Sequence, residues 1–465
     1  MASGARATFL RGNLFRHVAV MSLTSSVGLM AVFLVDFVDM IFIAMLGKSE
    51  LAAAVGYAGA ILFFTTSFGI GLSIAAGALV ARALGQGDDA LARERTTHAL
   101  SYGAVFGLIF SVAIWLALPL LVGLLGATGE TAQQAVLFLQ IVVPSVPFLI
   151  LGMMGGAVLR AHGDARRAMF ATISGGVVNA VLDPILIFGL DLELTGAAIA
   201  SSIARVVIAG MAMWPLFRHH GGVAAPRLAG MARDLGPVLS IAFPAILAQI
   251  ATPVGQAYVT RAMAGYGEAA VAGMAIVTRM MPVAFGVIFA LSGAVGPIIG
   301  QNFGAGDLHR VRRGFDAAVV FVAVVIVVVS TALYFMREMI AALFEAEGVT
   351  RELIYLFCGP LALAFFFPGV MFVANATFNN MGRPFLSTFT NWGRNAVALI
   401  PLVWLGSVLF GAPGVLIGQF AAGVVFGSVA WVLARRTIAR GGRPGVRSEI
   451  FGREGRLMAL FHARR

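Results

Sequence analysis

Charge is what this chain has least of. Only 11% of its 465 residues are Asp, Glu, Lys or Arg, against roughly a quarter in a soluble domain, and 60% are hydrophobic. One cysteine, Cys358, excludes an intramolecular disulfide and any cysteine-built metal cluster. No GxGxxG occurs, the GKS at 47–49 has Phe42 rather than glycine five positions before it and so makes no phosphate loop, and no nucleotide-binding domain is expected after the apolar stretches. No enzyme signature survives, no organic cofactor is expected, and work done by this chain would have to draw on an ion gradient.

What is present is apolar sequence in blocks long enough to cross a bilayer, about 20 residues each. Cutting at the polar breaks gives twelve expected helices, over 18–46, 51–81, 96–124, 132–158, 168–189, 194–217, 236–264, 269–300, 314–336, 353–380, 385–409 and 413–434. The N-terminal MASGARATFLRGNLFRH is basic but leads into a run too long for a signal peptide. Basic residues mark alternate connections. Segments 1–17, 82–95, 159–167, 218–235, 301–313, 381–384 and 435–465 hold 25 of the 32 Lys and Arg residues. The other connections hold Lys48, Arg337 and Arg351 against nine acids. By the positive-inside rule both termini are expected in the cytoplasm. The net charge of +11 then needs no nucleic acid, and the arginine-rich tail 435–465 reads as an anchor on anionic lipid headgroups.

The chain repeats itself. GQGD at 85–88 returns as GAGD at 304–307, 219 positions on, each before an arginine cluster. MLGKSELAAAVG (45–56) resembles MAGYGEAAVAG (263–273), and Gly163 of RAHGDARR aligns with Gly382 of NNMGRP. NAVLDP (179–184) resembles NAVALIP (395–401), and LTGAAIA (194–200) resembles GAPGVLI (411–417). The expected fold is all-α and polytopic: a six-helix bundle over 1–217, a linker over 218–235, a second bundle over 236–434 and the basic tail. Six spans per half make the repeats parallel, about an axis along the membrane normal, with a cleft between them. A duplicated scaffold with no transport role is the plain alternative.

Seven charges fall at membrane depth: Asp36, Asp39, Asp183, Arg205, Arg261, Arg279 and Arg394. Each costs about 2.5–3.5 kcal/mol on insertion scales, so each calls for a partner or a task. Asp36 and Asp39 are three apart on one helix; Asn179 and Asp183 are four apart on another, sharing a face. Pro184 leaves the Ala180 carbonyl without its helical donor. Two acids facing each other in a low dielectric cannot both ionise cheaply, so a proton can be held there, taken from one side and released to the other. The alternative is a structural staple in which Arg205 neutralises Asp36 or Asp183. No His shares these spans, so a metal site is not expected. Arg261 is expected to snorkel outward. Arg279 and Arg394 would pair with carbonyls or with Asn375, Asn379 and Asn380. Met153, Met154, Met280 and Met281, with Phe365, Phe366 and Phe367, could line an adaptable cavity or simply pack.

VDMIFIAMLG ending at Gly47, GQGD, RAHGDARR, NAVLDPILIFG, GAAIAS and IGQNFGAGD, in that order, resemble the multidrug and toxic compound extrusion (MATE) family over nearly the whole chain. The resemblance implies two six-helix bundles around a V-shaped cleft. It also implies export of amphipathic, often cationic compounds in exchange for protons or sodium. The DinF-like branch is the most similar. Asp39, Asn179 and Asp183 match its cation- or proton-binding positions, and Ser201 falls where the family usually has threonine. Helix 7 offers only Gln249 and Gln256 where a NorM-like member has an acid, so a second cation site is not expected. The first helix also lacks the proline that many members carry, and Asp36 is an additional acid. The function expected is a proton-coupled exporter of the inner bacterial membrane, a monomer among lipids, taking small amphipathic substrates. Sodium coupling, a flippase for lipid-linked oligosaccharides, or a scaffold or intramembrane enzyme are the alternatives.

Overall fold

The computed structural model describes residues 7–222, 224–225 and 228–441; the tail from 442 onward lies outside the described residues. Twelve long helices follow one another, with no strand among the described residues. They are α1 (Leu14–Met45), α2 (Ser49–Gly85), α3 (Asp89–Leu124), α4 (Gly129–Ala161), α5 (Ala165–Gly189) and α6 (Glu193–His219). Then come α7 (Leu228–Ala264), α8 (Glu268–Ala284 continued by Gly286–Gly304), α9 (Leu308–Leu343) and α10 (Gly348–Ala364 with Phe366–Asn380, bent by 45°). The last stretch, Phe385–Ala439, breaks at Gly411 (φ 64°, ψ −140°) into α11 (385–410) and α12 (412–439). A positive φ of this kind suits only glycine. Several helices run past their expected ends. α2 reaches Gly85 rather than 81, and α12 reaches Ala439 rather than 434, because polar residues carry the helix beyond its apolar core.

The repeated tetrapeptides are helix starts. Gly87 (φ 75°) and Gly306 (φ 77°) make the left-handed turn. Asp88 Oδ1 then accepts from Leu91 N, and Asp307 Oδ1 from Arg310 N, both at 2.8 Å. These are N-caps that satisfy otherwise orphaned amides. Asp164 after Gly163 (φ 83°) does the same for Arg167 N at 3.2 Å.

The two halves meet on the side of the basic loops, and they meet by symmetry. A Cβ on Gly85 would overlap the Gln301 carbonyl, and one on Gly304 would overlap the Arg82 carbonyl. The 219-residue offset of the repeat relates these two contacts to each other. It also relates two side-chain clamps. Arg82 donates through Nε to Asn380 O at 2.8 Å and through Nη2 to Asn379 O at 2.7 Å. Gln301 Nε2 donates to Ala161 O at 2.8 Å. Asn380 closes α10 and Ala161 closes α4, so each clamp ties up a helix C-terminus that has run out of donors. Reciprocal contacts of this sort define a two-fold interface. Two expectations change here. Arg82 is no loop charge but is 7% exposed, and Asn379 and Asn380 serve Arg82 rather than Arg279 or Arg394. The short turn Thr8–Leu10 adds a plug: Phe9 N donates to Gln301 Oε1 at 2.8 Å, and Phe9 O accepts from Arg310 Nη2 at 2.9 Å.

Contact between the halves continues to mid-membrane, where Gly286 of α8 faces Met30 of α1 and Gly71 of α2 faces Ala242 and Ile246 of α7. Following the same helix faces toward the acidic loops, every wall opens. Leu34, Phe37 and Ile41 on α1, Phe64 on α2, Pro253 and Thr260 on α7, and Arg279 and Val283 on α8 are all exposed. The halves therefore splay into a cleft on the acidic side and close on the basic one.

The glycine seam generates a first expectation. Gly85→Val should raise hydrogen exchange at the α2 and α8 ends flanking it. Unchanged exchange, measured by mass spectrometry, would show that these glycines do not hold this side shut. The turn between α4 and α5 generates a second. Burial pulls the His162 imidazole down to about 4. Burial pushes the Asp164 carboxyl up, but bonds from His220 and Arg167 outweigh it and bring it to about 2. Both folded-state values lie below the ordinary ones, so the unfolded chain takes protons first and stability is lost as pH falls. For His162 the window runs from 6.5 to about 4. The decline in melting temperature across that window should be shallower in His162→Gln; identical slopes would contradict it.

Candidate functional site

Three polar side chains converge inside the N-terminal half. The α1 face opposite Met30 packs on α5, where Gly28 meets Met169 and Val35 meets Gly176. Asp39 lies on that face, in a stretch (27–45) whose one other polar side chain is Asp36. On α5, Asn179 is 7% exposed and Asp183 is fully buried. Asn179 Nδ2 donates to Asp183 Oδ2 at 2.9 Å. The Asp39 and Asp183 carboxyls are neighbours across the contact between α1 and α5, and the Oδ1 atoms of both are buried with no donor among the described residues. Two carboxyls can bond only through a proton that one of them carries. Two carboxyls this close in a low dielectric cannot both ionise cheaply.

Its backbone is unusual as well. Directly after Asp183 and Pro184, residues Ile185–Gly189 turn as a π-helix. Proline lacks the amide that would continue the α-helical ladder, and π-turns loosen a helix at sites of function.

Asp36 stands one turn from Asp39 but is exposed, on the flank of α1. It feels the charges of Asp39 and Arg205, yet it makes no ion pair within 4.0 Å among the described residues. Arg205 instead donates to Ser145 Oγ at 3.1 Å and to Val142 O at 3.4 Å. The staple between Asp36 and Arg205 is thus not formed, because the guanidinium spends its donors on α4. Ser201 is half-buried and donates to none of these groups among the described bonds. Its neighbour Ser202, which sequence reasoning passed over, reaches α4 at Ile141 O, 3.2 Å away.

The weaker candidates divide between the halves. Met153 packs its sulfur against Gly69 of α2, and Met280 packs on the hydrophobic core of the C-terminal half. Phe365 is in that core too, stacked on Phe285 with ring centroids 4.2 Å apart. Each of these three packs within its own half. Asn375 accepts from Thr390 Oγ1 at 3.1 Å within the second half. Arg279 is exposed on the cleft wall with no bonded partner among the described residues, and Arg261 is exposed beside Tyr258, Tyr266 and Trp404.

The chain matches the MatE family over residues 25–185 and again over 244–405, two matches that begin 219 residues apart, as the repeat does. It is 27% identical over 422 residues to a FAD transporter of Shewanella oneidensis, covering 90% of this chain and 93% of that one. It is 25% identical over 413 residues to the multidrug export protein MepA of Staphylococcus aureus, covering 88% and 90%. Among solved structures it resembles the Vibrio cholerae MATE transporter VcmN (TM-score 0.87, 23% identity, 92% and 97% covered). It also resembles an outward-facing multidrug resistance MATE family transporter (TM-score 0.87, 21% identity, 94% and 99% covered). The chain belongs to the MatE family, whose members are membrane transporters and not enzymes.

Proposed function

We propose that this protein exports amphipathic organic compounds in exchange for protons, with Asp39 and Asp183 as the proton-coupling pair. The observation that carries the reading is the buried carboxyl pair, whose two donor-free oxygens sit beside the π-turn of α5. The relatives support the cargo class: one is named for FAD, the other for multidrug export. The moving parts are the bundles 1–217 and 236–434, hinged through 218–235 and rocking about the two-fold seam. The basic loops and both termini lie in the cytoplasm of a bacterial inner membrane, so the cleft faces outward. The protein acts as a monomer among lipids, with no cofactor beyond the ion gradient.

A proton entering from the acidic side neutralises the pair. With one negative charge fewer against it, α1 no longer needs the same approach to α5, and its cleft face (Leu34, Phe37, Ile41) shifts against bound cargo. Asn179 positions Asp183 through its amide, and Asp36 lies where a proton from the cleft would arrive first. Ser201 stands nearby on α6 as a polarising hydroxyl.

In reconstituted vesicles an outward-acid pH gradient should drive ethidium movement, and Asp39→Asn should reduce it to background while leaving expression and folding intact. Asn179→Leu should slow transport less than Asp39→Asn does. Undiminished transport by Asp39→Asn would remove the coupling role, and transport that follows an imposed sodium gradient alone would replace the proton by sodium.

A further inference from the structure

The C-terminal half carries a guanidinium with nothing to answer it. Arg394 lies on the π-helical turn Gly393–Ala398 of α11, about midway along the helix. Its Nε is 3.8 Å from where a Cβ of Gly423 on α12 would stand, and that same position is 3.1 Å from Pro368 of α10. The side chain therefore points into the interior of the second bundle. It is half-buried and has no hydrogen bond or ion pair among the described residues. No acid of this half pairs with it among the described residues; Asp316 holds Arg435 at 3.0 Å and Glu338 holds Arg351 at 3.1 Å.

Around Arg394 the polar groups are neutral. Gln419 lies one turn before Gly423 on α12 and shares its face. Its Oε1 is buried without a donor, while its Nε2 is 3.5 Å from Gln256 Oε1 on α7. Gln256 Nε2 in turn reaches Thr278 Oγ1 of α8 at 3.4 Å. The next residue, Arg279, stands exposed on the cleft wall. A guanidinium does not shed its proton in a protein, and an uncompensated charge at membrane depth is costly. Such a charge persists where a counter-ion visits.

We propose that the C-terminal half binds an anionic group of the cargo at Arg394, with Arg279 on the cleft wall drawing it in. The inference deepens the transporter reading, on which it rests, by naming one cargo class: an apolar or aromatic body carrying a phosphate or carboxylate. The two halves then divide the electrostatics, protons to the acids of the first and an organic anion to the guanidinium of the second. A cargo phosphate and an anionic lipid headgroup offer Arg394 the same chemistry.

The test needs no gradient, so it stands apart from the test of proton coupling. Flavin mononucleotide and riboflavin differ by one phosphate; their binding is compared on the full chain in phosphatidylcholine nanodiscs. A charge-assisted contact should favour the mononucleotide by roughly tenfold to a hundredfold. Arg394→Gln should erase most of that preference, Arg394→Lys should keep part of it, and Arg279→Gln should slow association more than it speeds release. Arg394→Gln should also leave the melting temperature unchanged or higher, since it removes an unpaired, half-buried charge. If phosphatidylglycerol competes with the mononucleotide in wild type but not in Arg394→Gln, the site stands and a headgroup is a natural occupant. Equal binding of the two flavins, or a preference that survives Arg394→Gln, would overturn the proposal. So would a large fall in melting temperature, which would mark Arg394 as a structural staple.

Discussion

Backbone meeting backbone at Gly85 and Gly304 is the constraint from which the rest of the molecule follows. Two halves of a duplicated chain can close tightly only where no side chain intervenes, and the repeat supplies a glycine at the same position twice. The clamps that flank it, Arg82 on the end of α10 and Gln301 on the end of α4, are the same interaction written in two residue types. Because the contact is concentrated at one end, the opposite ends are free to part, and a cleft follows without any element dedicated to making one.

Symmetry of the frame is not symmetry of charge. The first half puts its membrane-depth acids on α1 and α5. In the second, the position matching Asp183 is an apolar residue, and a free guanidinium sits on the neighbouring π-turn of α11. Both helices are loosened at the level of their charge, one after Pro184 and one at Gly393. A helix bearing a lone charge in a low-dielectric setting gains from backbone freedom, because the charge can then follow its proton or its counter-ion. In the reading proposed above, that arrangement lets one scaffold answer two different ligands.

Several features were legible beforehand. Hydrophobic blocks separated by charged breaks gave twelve helices, since a bilayer tolerates little else. The 219-residue offset gave the pairing of halves, and it reappears in the seam, where Gly85 and Arg82 stand to Gln301 and Gly304 in matched positions. Helical spacing put Asn179 and Asp183 on one face of their helix, and the family resemblance, not spacing, joined Asp39 to them. Other features were not legible. Arg82 looked like one more basic loop residue, Asn379 and Asn380 looked like candidates for Arg279 or Arg394, and Arg205 looked like the partner of Asp36. Each of those errors has one cause: spacing along a helix gives the direction of a side chain but not which neighbouring helix stands there.

By itself the sequence determined the number of helices, the side on which the basic loops gather, the duplication and the turn chemistry of Gly87 with Asp88 and Gly306 with Asp307. All of these depend on hydrophobicity, charge and backbone geometry acting over a few residues. Only the tertiary structure decided which charges are paired. It left Asp39 against Asp183, gave Arg82 to the carbonyls of Asn379 and Asn380, and left Arg279 and Arg394 without partners among the described residues. Pairing depends on distances between helices far apart in the chain, and no local pattern of residues encodes them.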